Sequence, residues 1–201
     1  MAAQRRLGED APLEPMQLVL VYPEIPHNTG CAGRLSAALG LPLHLVEPLG
    51  YSLEDRYLKR AGLDYWPQVD LHVHPDLETM IAAVERTSTR PFAERVRPFS
   101  ARGGRSLFEV EFQADDVLVF GQETKGLPHT FLDAYPGRAV YVPIRPGVRS
   151  LNLANVVCLG AYTALHSAGV PLPDNDGRHV PVAQDRAVQP ADVARRSGGG
   201  A

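Results

Sequence analysis

Three stretches of this chain, the richest in Gly, Pro and uncommitted polar groups, could serve as the walls of a ligand site. The first, Pro23 to Gly30, carries Asn28, with Arg34 six residues further on. An asparagine amide both donates and accepts, and an arginine supplies a fixed cationic fork of five donors. The second pairs Ser100 to Gly104 with Gly121 to Pro128 (GQETKGLP), which sets Glu123 between glycines Gly121 and Gly126. The third, Pro143 to Ser150, is stiffened by Pro143, Pro146 and Gly147 and ends in a hydroxyl.

Each stretch also has a plain reading. Asn28 suits a helix cap and Arg34 a surface cation. Gly126 suits a strand-to-helix turn needing a positive φ, with Pro128 opening the helix. The second stretch lacks the Gly-Lys-Ser/Thr ending of a phosphate loop. Neither Gly-x-Gly-x-x-Gly nor Gly-x-Ser-x-Gly occurs at a strand-helix junction. His72 and His74 share a strand face without an evident third ligand, so no metal site is expected. Between Arg86 and Arg105, the arginines at 86, 90, 95, 97, 102 and 105 meet only Glu94 in sequence. Such a run is either a solvated face or a footprint for a phosphate backbone.

The elements that must position these residues alternate. Gln17 to Tyr22, Leu43 to Val46, Val69 to Val73, Val96 to Ser100, Val117 to Phe120 and Ala139 to Ile144 read as strands. Asn28 to Leu39, Ser52 to Ala61, Asp76 to Arg86, a short stretch ending at Ala134, and Ser150 to Gly169 read as helices. Ser150 stands where an N-cap belongs and Gly169 where a C-cap belongs. The last helix is so apolar, apart from Asn152, Asn155, Thr163 and His166, that burial on more than one side is expected, within the protein or by a second copy. The pattern is that of an α/β domain with a mainly parallel sheet flanked by helices. Such sheets bind ligands beyond the carboxyl ends of their strands, where the three stretches fall.

At 201 residues the chain suits one domain, residues 16–169, between a flexible arm at 1–15 and a disordered tail at 170–201. A net charge of −3 excludes a generally basic nucleic-acid coat, so any such contact must be local. Cys31 and Cys158, in apolar helical surroundings, read as reduced thiols. No apolar run reaches spanning length and the N-terminus lacks a signal-peptide core; the expectation is a cytoplasmic protein without membrane association.

PEIPHNTGCAGRLSAALG with LHLVEPLGYSLEDRYLKRAGLDYW, then VLVFGQETKGLP, then VPIRPGVRSLNLANVV resemble, in order, the three signature motifs of the SPOUT methyltransferases. The likeness is to the TrmL (YibK-like) branch and covers nearly everything from Gln17 to Leu165. It implies an alpha/beta knot fold with a C-terminal trefoil knot, S-adenosylmethionine as donor, no metal, and a homodimer formed through the first and last helices. The implied reaction is methylation of the ribose 2′-hydroxyl of the wobble nucleotide in a tRNA anticodon stem-loop. By the match, Arg34 and Asn28 form the reactive side. Phe99, Gly121, Glu123, Gly126 and Val142, with Ser150, Leu151 and Asn152, surround the donor. Arg95, Arg97 and Arg102, from the basic run, are expected on RNA phosphates. Cys31 stands where relatives usually carry Asn. Another tRNA or ribosomal RNA site, or a knotted RNA-binding protein without transfer, are the alternatives.

Overall fold

The computed structural model describes residues 15–53 and 65–174. The expected N-terminal arm, nearly all of the expected helix from Ser52, and the tail beyond residue 174 lie outside the described residues. Seven strands form one sheet in the order β3-β2-β1-β6-β4-β7-β5. They are β1 (Gln17–Val21), β2 (Leu43–Val46), β3 (Leu71–His74), β4 (Val96–Phe99), β5 (Arg105–Ser106), β6 (Val117–Phe120) and β7 (Val140–Tyr141). Every neighbouring pair is parallel.

A parallel sheet covered on both faces needs strands that are apolar in both directions, and β1 meets that need. Leu18 and Leu20 join the core beneath α1 (Pro26–Leu39) and α5 (Leu153–Ser167). Val19 and Val21 join Met80, Val84, Phe92 and Phe131, contributed by α2 (Leu77–Glu85), α3 (Phe92–Arg95) and α4 (His129–Ala134). The segments β5 and α3 are too short for periodicity to reveal and were not expected; the strand expected from Ala139 narrows to Val140–Tyr141.

The helix ends follow local chemistry. Asp76 caps α2, accepting from Thr79 N at 2.7 Å. Helix α5 begins two residues later than expected: its N-cap is Asn152, not Ser150, because the Asn152 side chain accepts from the amides of Ala154 and Asn155. At its other end Gly169 (φ 68°) turns left-handed, with Gly169 N donating to His166 O and Val170 N to Leu165 O. That pair of bonds is the Schellman closure that glycine favours.

Within the single chain α5 is buried on one face only, so of the two expected ways of covering its other side, burial inside the protein is not the one taken. Val157, Gly160, Ala161, Ala164 and Leu165 are buried. The opposite face, Asn155, Cys158, Tyr162 and His166, is exposed. Cys31 and Cys158 are free thiols on exposed rather than apolar surroundings.

Strand β7 lies between β4 and β5 although it follows both in the chain. Ser100 N donates to Val140 O and Arg105 N to Ala139 O, each at 2.9 Å. Gly104 (φ 130°) lies so close to this strand that a Cβ would stand 2.2 Å from Ala139 O. Only glycine permits that approach.

Candidate active site

A cavity of about 540 Å³ opens beyond the carboxyl ends of β4, β6 and β7. Its floor is aromatic: Phe99 and Phe120, the last residues of β4 and β6, stack with centroids 4.5 Å apart. Gly160 of α5 leaves room for that floor, since a Cβ there would come 2.8 Å from Phe99 Cζ. One wall is the turn from Gly121 to Gly126, closed by Gly126 N donating to Gln122 O at 2.9 Å. A Cβ on Gly121 would meet Gly126 C at 2.1 Å, so the turn presents backbone to the cavity.

Glu123 ties this turn to the start of α1. The helix has no side-chain cap and no acidic residue in its first turn. The Glu123 carboxylate takes that place from across the sheet, accepting from Glu24 N at 2.8 Å and Ile25 N at 3.2 Å. A negative charge at a helix N-terminus meets unsatisfied amides and the positive end of the dipole. Glu24 returns the contact, its carboxylate accepting from Thr124 N at 3.1 Å and Thr124 Oγ1 at 2.8 Å. Asn28, buried in the first turn of α1, donates from Nδ2 to Glu123 Oε1 at 2.8 Å and accepts from Asn152 Nδ2 at 2.9 Å. Three loops are thus joined by one hydrogen-bonded chain running from Glu123 through Asn28 to Asn152.

Phe99, Gly121, Glu123, Gly126 and Val142, expected around a donor, all line this cavity, as do Ser150, Leu151 and Asn152. Asn28 and Arg102 line it too. Arg34 does not. It is exposed on α1, its guanidinium carbon 4.6 Å from the centroid of the Tyr65 ring. Beside α1, Tyr51 Oη donates to Thr29 Oγ1 at 2.5 Å, and burial pushes the Tyr51 hydroxyl up to about 12. A phenol so placed holds its proton at neutral pH and acts as a brace. Sequence reasoning passed over Tyr51 and Glu24, since neither spacing nor residue type marks a contact made across the fold.

Arg95 and Arg97 correct the reading of the basic run. Both side chains are buried. Arg95 Nε donates to Asp115 O at 2.8 Å, and Arg97 Nε lies 2.9 Å from Asp116 Oδ2. Arg90 pairs with Asp115 as well. Burial raises the Asp116 pKa, opposed by the Gln113 amide and by Arg97. Buried charges persist only when paired and hydrogen-bonded; these two arginines are structural and cannot meet a phosphate.

On the far edge of the sheet, His74 is buried and shares a 2.9 Å hydrogen bond with His44, while His72 pairs with the exposed Asp70. Among the described residues no cluster of three or more His, Cys, Asp or Glu is arranged to hold a metal ion. Nor is any helix among them long and apolar enough to cross a membrane.

A parallel α/β sheet with a cavity at its carboxyl ends, floored by aromatics and walled by a glycine turn, is the place where α/β proteins bind their ligands. The sequence model of the SpoU rRNA methylase family matches residues 15–162, and the chain belongs to that family. It is 43% identical over 153 residues to a tRNA (cytidine(34)-2′-O)-methyltransferase of Burkholderia ambifaria, covering 76% of this chain and 95% of the relative. A solved structure concerned with the 2-OH methylation of C/U34 on tRNA is 46% identical and superposes with a TM-score of 0.70, covering 78% of this chain and 97% of the other. The SpoU methyltransferase AviRb from Streptomyces viridochromogenes, in complex with AdoMet, shares the fold at 21% identity, with a TM-score of 0.68 over 78% of this chain and 59% of that one.

Proposed function

We propose that this protein is an enzyme that transfers a methyl group from S-adenosylmethionine to the ribose 2′-hydroxyl of the wobble nucleotide, cytidine or modified uridine, in the anticodon stem-loop of tRNA. The observation that carries this reading is the meeting of three loops at one cavity, held by the Glu123–Asn28–Asn152 chain. The residues present fit the donor. Phe99, Val142 and Leu151 offer apolar surface for its nucleoside, and the backbone of the Gly121 turn and of Ser150 offers polar edges.

When bound, S-adenosylmethionine supplies a methyl group already activated by its sulfonium, so the protein's task is positioning. With one N–H on Glu123 and one lone pair on Asn152, Asn28 keeps one donor and one acceptor position for an incoming ribose hydroxyl. Arg34 stays protonated at any working pH and is a poor base. Its part is to orient the hydroxyl and to stabilise negative charge growing on the oxygen.

The same reading includes a homodimer joined through α1 and α5, supported by the exposed Cys158–Tyr162 face of α5. It also includes a knotted C-terminal segment, supported by the insertion of β7 between β4 and β5. Donor, tRNA and dimer belong to a cytoplasmic enzyme. The test is incubation with labelled S-adenosylmethionine and total tRNA, followed by mass-spectrometric mapping of ribose methylation. Label at the wobble ribose is the expected result. Label elsewhere in tRNA or in ribosomal RNA would move the substrate, and donor binding without transfer to any RNA would leave only a binding protein.

A further inference from the structure

Arg102, Lys125 and Arg149 come from three different loops, and all three line the mouth of the cavity with exposed side chains. None of them forms an ion pair among the described residues. Among the described residues Glu123 is the one carboxylate lining the same cavity, and its oxygens are taken by Glu24 N, Ile25 N and Asn28 Nδ2. Arg102 is further held in place: its backbone N donates to Ser100 Oγ at 3.1 Å and its guanidinium contacts the His129 ring. The contrast with Arg90, Arg95 and Arg97 is sharp, since each of those three is ion-paired with Asp115 or Asp116. A protein of net charge −3 therefore carries around one concave opening three cations that have no ion-pair partner among the described residues. Such an opening concentrates positive potential where a polyanion would approach.

We propose that Arg102, Lys125 and Arg149 form a rim that grips the RNA phosphates flanking the nucleotide whose ribose enters the cavity. The proposal rests on the transfer reading above and gives it a partner surface. A 2′-hydroxyl adjoins the 3′-oxygen that carries the next phosphate, so a ribose at the mouth brings backbone charge with it. Phosphate contacts fix register without reading sequence. Three cations from three loops suit that task better than a contiguous stripe, because they surround the strand.

The experiment measures tRNA binding by the full chain against salt concentration, for wild type, R102Q, K125Q, R149Q and the triple variant. Each phosphate contact on single-stranded nucleic acid contributes about −0.7 to the slope of log K against log salt. The triple variant is expected to flatten the slope by about 2, and each single variant by a fraction of that. R86Q, an exposed arginine that does not line the cavity, is expected to leave it unchanged. Donor affinity, measured by calorimetry on the same variants, is expected to stay within about twofold of wild type, which also reports that each variant is folded. A slope unchanged in folded variants overturns the proposal. Weakened donor binding with an unchanged slope overturns it too, and assigns the rim to the donor's own carboxylate. Failure of the transfer reading looks different: wild type would bind tRNA with a slope sensitive to the rim yet methylate no RNA.

Discussion

Asn152 Nδ2 donates to Asn28 Oδ1 across 2.9 Å, joining residues 124 positions apart. The direction of that bond is imposed from elsewhere. The Glu123 carboxylate can only accept, so Asn28 must turn its amide nitrogen toward it and its oxygen toward Asn152. Asn152 must then give its nitrogen to Asn28, keeping its oxygen for the amides of Ala154 and Asn155. One carboxylate thus orients two amides and the start of a helix.

That linkage makes the two roles of Asn152 separable. Asn152→Asp keeps an oxygen for the cap of α5 but faces Asn28 Oδ1 with a second acceptor. Asn152→Ala loses both, including a cap worth about 1 kcal/mol. Urea unfolding is expected to rank aspartate above alanine, while single-turnover transfer falls about tenfold or more in both. Wild-type transfer by the aspartate variant would mean that Asn28 needs no fixing.

Arg34 is expected to matter to the reaction and not to donor binding, because it stands outside the cavity lining. Arg34→Ala should bind S-adenosylmethionine normally and lose on the order of a hundredfold in rate, as for one oxyanion-stabilising donor. Arg34→Lys should recover little if the planar fork is what counts. Single-turnover rates at saturating tRNA decide; an unchanged rate would reduce Arg34 to a surface cation stacked on Tyr65.

The dimer is best tested at Tyr162, which is 42% exposed in the single chain. Val157 is unsuitable, since it is fully buried there and a charge would disrupt the core itself. Tyr162→Glu is expected to shift sedimentation toward the monomer with little change in secondary structure. A folded wild-type monomer at micromolar concentration would contradict the dimer outright.

Acid sensitivity should arise at the sheet edge. Burial first, and then the charges of His72 and His74, lower the His44 pKa to about 3; burial chiefly lowers His74 as well. Both groups therefore resist protonation in the folded chain. Above an unfolded pKa near 6.5 there is no penalty; as pH falls below it the unfolded chain binds protons that the folded chain refuses. At pH 5 His44 alone should cost about 2 kcal/mol relative to pH 7.5, the loss growing until its folded pKa is reached. Denaturant midpoints measured across this range should fall for wild type and fall less for His44→Leu. Parallel curves would place the sensitivity elsewhere.

Much of the cavity was legible because the residues expected around a donor sit at strand ends, where chain order and sheet topology agree. Phe99, Gly121 and Val142 are placed by their strands, and their convergence needs only the parallel sheet. Arg95 and Arg97 were misread because a charge run shows only its sequence neighbours, whereas Asp115 and Asp116 return on the turn before β6. Ser150 and Asn152 are both good caps, and sequence offers no way to choose. The choice falls to Asn152, whose side chain reaches both first-turn amides while its nitrogen reaches Asn28.

The place of β7 has a consequence for how the chain must be made. β4 and β5 leave the ribosome while the residues of β7 are still to be translated, and β5 has no other partner in the sheet among the described residues. A slot one strand wide must therefore stay open until nearly the whole domain has been synthesised. Contacts formed so late and over such sequence distances carry a large loop-closure cost and favour slow folding. The cavity, whose floor and walls come from both sides of that slot, can form only after the final strand is seated.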